Sequence, residues 1–334
     1  MRDEKVSASV RPEVSKGPPS PDKPPAFDTA ATLRFVINAA SGSQALDDSR
    51  AAIEAALSDG GRRGEVLPCR PDELAQAARD AARSAANEGG AVVAVGGDGT
   101  INTVTQAAHA AGCVMGVVPR GTFNYFARSH GIATDPGEAV RQLLAAQPRP
   151  VIVPKLNDRI FLVNASLGLY PQLLEDREYY KARFGRSRWV AIGAGIATLL
   201  RAQQRLRLHI ELGDGARDVR TMTIFVGHNR LQLAQWGVRP EDAEGPHLTA
   251  VMLRPIGTWR LLDLLRHGAM GTLGDAQSIE RFEFDHMVVR PSRLYRAKRV
   301  KVAFDGEVTW MHPPLDFRVL DQPLWLLEPA QTAA

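Results

Sequence analysis

The sequence predicts an α/β fold in two domains, an α/β domain followed by a β-rich one. Three observations predict it. An apolar run, Ala91–Val95, leads into the glycine loop Gly96-Gly97-Asp98-Gly99-Thr100 and then into an alanine-rich helical stretch. Between residues 33 and 146, short apolar runs alternate with further helical stretches, the pattern of a parallel sheet with crossover helices. After Pro150 the texture changes to β-branched segments separated by turn residues, the pattern of a largely antiparallel β domain.

The glycine loop organises the first domain. Ala91-Val92-Val93-Ala94-Val95 reads as a short buried strand. Gly96, Gly97 and Gly99 allow positive φ and bring the backbone close to a ligand. Thr100 is expected to cap a helix over Ile101–Ala111 that stops at Gly112. Strand, glycine loop and helix N-terminus together make an anion site, because unpaired N–H groups and the helix dipole converge there. A carboxylate beside phosphate is repulsive unless a cation intervenes, so Asp98 implies a phosphate chain with Mg2+ held directly or through water. The plainer alternative, an Asp-Gly hairpin turn, requires a second strand where the sequence is helical instead.

Composition bounds the rest. The 334 residues are 44% hydrophobic and 23% charged, enough for two folded domains. A net charge of +4 suits phosphate ligands or an anionic membrane surface and does not argue for nucleic acid. Cys69 and Cys113 form no CxxC and no metal spacing, as expected in a reducing compartment. The charged N-terminus is not a signal peptide, and the longest apolar run, Trp189–Leu200, is shorter than the roughly 20 residues a span needs. The expected location is cytoplasmic, or peripheral on the inner membrane face.

In chain order, residues 1–31 carry six prolines by Pro25 and read as a disordered tail. Leu33–Ile37 is the first strand, ending in Asn38-Ala39-Ala40-Ser41-Gly42, and Asp47–Ser58 is a helix. Glu65–Pro68 is a second strand and Pro71–Asn87 a helix with proline in its first turn. Val114–Val118 leads into Pro119-Arg120-Gly121-Thr122-Phe123-Asn124, a third small-residue loop at a strand end. Ligands of open parallel sheets bind at such ends. Glu138–Ala146 closes the domain ahead of Pro148 and Pro150. In the second domain, helical insertions are expected at Glu175–Gln204 and Trp259–Met270, and Leu315–Leu327 is expected to return to the first domain.

Several motifs are absent. There is no Walker A, and a Rossmann GxGxxG fails at Asn102. Asn164-Ala165-Ser166-Leu167-Gly168 has the outline of a nucleophile elbow without its first glycine. The eight histidines form no ligand cluster. Asp305-Gly306-Glu307 follows the strand Val300–Phe304 and reads either as a hairpin turn or as a carboxylate pair able to act as base and metal partner.

Taken together, the Asn38, Gly96, Pro119 and Asp305 motifs resemble the signature set of the diacylglycerol kinase catalytic-domain family, which includes bacterial lipid kinases and the sphingosine and ceramide kinases. The resemblance covers residues 32–328. It implies an ATP- and Mg2+-dependent kinase acting on a lipid hydroxyl, most simply diacylglycerol to phosphatidic acid, with a β-sandwich second domain and the active site in the cleft. It divides the chain into 32–150, 151–314 and a returning segment 315–329. By position, Asn38, Ser41, Gly42, Gly96, Gly97, Gly99, Thr100, Arg120, Gly121 and Thr122 match the nucleotide contacts. Asp98 matches the metal-linked aspartate, and Asp305 and Glu307 the carboxylates from which the base is drawn. Arg120 and Lys155 are cations that read equally as phosphate contacts or as surface or structural charges. Three positions depart from the family pattern: Ala39 replaces proline, Tyr125 replaces an acid, and Ala243-Glu244-Gly245 replaces Asp-Asp-Gly at an accessory Mg2+ site.

The expected partners are a lipid substrate and a peripheral membrane surface, with no nucleic acid and a homodimer left open. Trp189, Ile192, Ile196, Leu199 and Leu200, flanked by arginines, form a helical stripe suited to an anionic membrane or to core packing. Two other readings stand beside the lipid kinase. An NAD kinase shares the glycine loop but needs a Ser/Thr-Pro-Thr-Gly-Ser run that is missing here. An inactive lipid-binding module does not need Asp98 and Asp305-Gly306-Glu307.

Overall fold

The computed structural model describes residues 24–39, 43–169, 171, 206–213, 215–228, 247–255, 257, 278–291 and 299–329. Ser41, Gly42, Glu244 and the two expected helical insertions, with the Trp189 stripe, lie outside the described residues.

The first domain is a doubly wound sheet. Its parallel strands are β1 (Leu33–Asn38), β2 (Gly64–Cys69), β3 (Ala91–Gly96) and β4 (Val114–Pro119). The connecting helices are α1 (Ser43–Asp59), α2 (Leu74–Glu88) and α3 (Asp98–Ala111). Beyond β4 come α4 (Tyr125–Ser129), α5 (Pro136–Ala145) and β5 (Gln147–Val151). Helices α1 and α5 pack together, as do α2 and α3, leaving the sheet between two helical layers. Every residue from Ala91 to Val95 is fully buried, which explains why β3 is apolar on both faces rather than alternating. The left-handed Gly89 and Gly112 end α2 and α3 as C-caps, and Gly112 is the stop that the sequence predicts.

The second domain is an antiparallel sandwich. One sheet runs in the order β10 (Gly215–Thr221), β9 (Leu206–Leu212), β14 (His286–Pro291), β17 (Leu315–Val319), β6 (Pro154–Leu156), β7 (Arg159–Ile160). The other runs β13 (Ile279–Phe284), β12 (Leu248–Leu253), β11 (Thr223–Gly227), β8 (Asn164–Gly168), β15 (Val300–Phe304), β16 (Glu307–Met311). Ile210, Met287 and Phe317 from the first sheet meet Leu167, Ile224 and Phe304 from the second in one core.

Four details differ from the sequence expectations. Helix α3 begins at Asp98 with Gly97 as its extended N-cap, not at Ile101 behind a Thr100 cap. The Thr100 hydroxyl is engaged elsewhere, so the glycine carbonyl opens the helix by accepting from Ile101 N–H at 3.0 Å. Residues 147–151 form β5, an edge strand whose prolines are tolerated because it pairs only with β18 (Leu324–Glu328). Of residues 315–329, β17 stays in the sandwich, and only β18 crosses back to lie between β4 and β5. The end of the expected tail is docked: Asp28 N–H donates to Gly89 C=O at 2.8 Å and Phe27 packs on the first core.

Candidate active site

In the sheet order β2-β1-β3-β4, the winding direction reverses between β1 and β3. Ligands of such sheets bind at the strand carboxyl ends beside that reversal. There the structure brings Asn38, at the end of β1, to the glycine loop: its Nδ2 donates to Thr100 Oγ1 at 3.2 Å. Thr100 is buried and packs against Gly96, where a Cβ would fall 2.6 Å from its side chain. Ile101 is the first residue of α3 to bond back, so the N–H groups of Asp98, Gly99 and Thr100 are the donors that a helix start leaves for an anion.

The third loop closes over the second. Arg120 N–H donates to Gly96 C=O at 2.8 Å. A Cβ on Gly121 would stand 2.8 Å from Gly97 Cα and 2.7 Å from Asn124 Oδ1. Two glycine backbones therefore meet face to face, a contact closed to any larger residue at position 121. Asn124 holds the loop, taking Gly121 N–H at 2.7 Å and donating to Gly121 C=O at 2.9 Å, from a left-handed backbone at φ 50°. Thr122 is exposed beside it, and so is Phe123, which stacks on Tyr125 at 5.6 Å.

Asp98 is half-buried, and burial raises its carboxyl above the ordinary range, while N–H groups of Phe126, Tyr125 and Asn124 act against that rise. Its Oδ1 lies 3.5 Å from Phe126 N, so the carboxylate also tethers the start of α4. Among the described residues, no cluster of three or more acids, histidines or cysteines could enclose a metal alone. One carboxylate beside a phosphate site still fits Mg2+, which keeps several waters and takes most other ligands from the substrate phosphates.

Asp305 and Glu307, adjacent in sequence, face different tasks. Asp305 and Gly306 are the two loop residues of the β15–β16 hairpin, at φ 47° and 90°, as a type I′ turn requires. The Asp305 carboxylate is enclosed: Oδ1 accepts from Val163 N at 2.8 Å and Asn164 N at 3.1 Å, and Oδ2 from Leu162 N at 2.9 Å and Asn102 Nδ2 at 2.6 Å. Burial lifts its pKa to about 6 despite these donors. The Asp305 oxygens are thus committed to protein donors, and Glu307 is the more open of the two carboxylates. Glu307 is exposed, and its Oε1 lies 3.2 Å from where a Cβ on Gly99 would be. The hairpin reading holds, with Asp305 and Gly306 as the turn between β15 and β16.

Lys155 sits in β6, opposite Arg318 and Ile160 in register. Ser166 lies inside β8, fully buried between β11 and β15, with no nucleophile elbow around it. The contacts of Asn102, Gln106 and Asn124 were not legible in the sequence. The signal was present for the first two: amides spaced i, i+4 on the helix face that carries Gly99.

Fold and site define a two-domain protein whose doubly wound domain presents a phosphate-type loop to a carboxylate from an antiparallel sandwich. The diacylglycerol kinase catalytic domain family model matches residues 32–156. The chain is 28% identical over 243 residues to the putative lipid kinase of Staphylococcus aureus strain JH9, covering 70% of this chain and 75% of that one. The same figures hold for the putative lipid kinase of Staphylococcus aureus strain N315. The crystal structure of a putative diacylglycerol kinase from Bacillus anthracis shares the fold, with TM-score 0.67 and 19% identity over 91% of this chain and 99% of that one.

Proposed function

We propose that this protein is an ATP- and Mg2+-dependent lipid kinase that phosphorylates a lipid hydroxyl, with diacylglycerol as the leading acceptor. The observation that carries the reading is the approach of Glu307 to Gly99, which sets a carboxylate from one domain over the phosphate-type loop of the other. When bound, Mg2+–ATP supplies the phosphoryl group and neutralises charge on it. The N–H groups at the start of α3 hold phosphate oxygens, and the close-packed Gly97 and Gly121 bring backbone, not side chains, to the nucleotide. Asp98 holds the cation side of the site. Glu307 orients the acceptor hydroxyl and takes its proton as the oxygen bonds to the γ-phosphorus and ADP departs. Positioning and charge placement supply most of the rate in such transfers.

Two features support a lipid as acceptor. Phe123 and Trp310 are the large hydrophobic side chains left exposed among the described residues. One lies in the loop beside Gly121 and the other three residues after Glu307, with Lys301 over its ring at 5.1 Å. No helix among the described residues is long and apolar enough to cross a membrane, and the reading places the protein at the membrane surface. The test is to incubate the purified protein with labelled ATP, Mg2+ and a lipid extract and identify the labelled product. Transfer of label to a lipid supports the reading. Tight binding of NAD with no binding of ATP, measured by calorimetry, would overturn it.

A further inference from the structure

We propose that Asn102 is a positioning residue, the centre of an amide latch that fixes the Glu307 turn relative to the glycine loop; this rests on the kinase reading for its link to activity. Asn102 stands three residues beyond Gly99 in α3, on the same helix face. Its Nδ2 donates to Asp305 Oδ2 at 2.6 Å and to Ile160 C=O at 3.0 Å, and its Oδ1 accepts from Gln106 Nε2 at 3.0 Å. Gln106, one turn further, closes on the same strand end: its Nε2 donates to Ile160 C=O at 2.8 Å, and its Oε1 accepts from Ile160 N–H at 3.2 Å.

Both amide hydrogens of Asn102 are therefore used, and both of its acceptors belong to the second domain or to its first strands. The β7 edge, which would otherwise present unpaired backbone, is closed by two side chains of the glycine-loop helix. From Asp305 the chain of bonds continues to the N–H groups of Leu162, Val163 and Asn164. Two residues after Asp305 comes Glu307, back over Gly99. The path Gly99, Asn102, Asp305, Glu307 is a closed loop through two domains. An apolar contact would hold the domains together without direction, whereas an amide with both hydrogens assigned fixes the angle between α3 and the β15–β16 turn.

Asn102→Leu keeps the size and removes the hydrogen bonds. A displacement of the proton acceptor by about 1 Å costs on the order of 10²-fold in rate. The expected result is kcat lowered about 10- to 100-fold with ATP binding by calorimetry changed less than about threefold, since the phosphate loop itself is untouched. Hydrogen–deuterium exchange should show faster exchange at Leu162, Val163 and Asn164. Gln106→Leu, a milder break of the same latch, should move both readouts in the same direction and serves if Asn102→Leu does not fold. Unchanged kcat, equal losses in kcat and ATP affinity, or unchanged exchange at 162–164 in a folded variant would each overturn the proposal. A wild-type protein that transfers no phosphate to any lipid would defeat the kinase reading alone, and the exchange measurement would still decide the latch.

Discussion

Glu307 Oε1 reaches to 3.2 Å from the Cβ position of Gly99, although the two residues belong to different domains. The lack of a side chain at position 99 is what leaves room for that carboxylate at the start of α3. A carboxylate and a row of helix-start N–H groups then face the same small volume.

Replacing Glu307 by Gln removes the acceptor and keeps the shape. Turnover should fall about 10²- to 10⁴-fold, the usual contribution of a positioned base. ATP affinity, measured separately by calorimetry, should stay near that of the wild type. Turnover within a factor of two of wild type would remove Glu307 from the chemistry.

Asp98→Asn retains an oxygen for the Phe126 N–H and so should preserve the start of α4. It removes the charge next to the phosphate site. Turnover should drop by roughly 10²-fold or more, with a weaker dependence on Mg2+ concentration. Steady-state kinetics at several Mg2+ concentrations, with a thermal melt as the folding control, checks both halves.

Gly121→Ala and Gly99→Ala should behave differently. At 121 the new methyl meets Gly97 Cα at 2.8 Å, a backbone atom that cannot swing away. A loss of about 1–3 kcal/mol in stability is expected, as for other overpacked sites. At 99 it meets only the end of a flexible Glu307 side chain at 3.2 Å. There the melting temperature should hold while turnover falls. Equal melting temperatures for the two variants would contradict the backbone contact.

Asp305 gives stability a pH dependence. Its carboxyl binds a proton at about 6 in the folded protein and near the ordinary 3.8 when unfolded. Between those values the native state holds more protons, so the Asp305 contribution falls as pH rises from about 4 to about 6, and is flat above. Denaturant unfolding across this range, compared with Asp305→Asn, isolates it. A difference between the two proteins that does not vary with pH there would refute the shifted carboxyl.

The exposed aromatics make a membrane prediction. Phe123→Ser with Trp310→Ser should reduce co-sedimentation with anionic vesicles by several-fold while leaving the melting temperature unchanged, since both side chains are more than half exposed at 52% and 56%. Unaltered co-sedimentation would mean that these residues do not contact lipid.

Much of the first domain was legible because its signals are local. The buried run Ala91–Val95, the glycine loop and the C-cap Gly112 each follow from chain chemistry over a few residues. The start of α3 was misread because a threonine suits an N-cap better than a glycine in general, while here the Thr100 hydroxyl is taken by Asn38 from another strand. The fate of Asp305 was illegible for the same reason: nothing near it in sequence announces the N–H groups of 162–164 or the Asn102 amide. Leu315–Leu327 read as one apolar segment, yet Asp321-Gln322-Pro323 break it into strands of two different sheets. Long-range pairing decided each of these cases.

The insertion of β18 between β4 and β5 has a consequence for how the molecule is made. The first sheet lacks an interior strand until residues 324–328 have left the ribosome, so the half of the protein synthesised first is completed last. Until then β4 and β5 have no partner on their facing edges, and the nascent chain must carry two open strand edges through the synthesis of the whole sandwich. Residues 32–156 are for that reason a unit of sequence but not a unit of folding: cut out alone, they would lack the strand that joins β4 to β5.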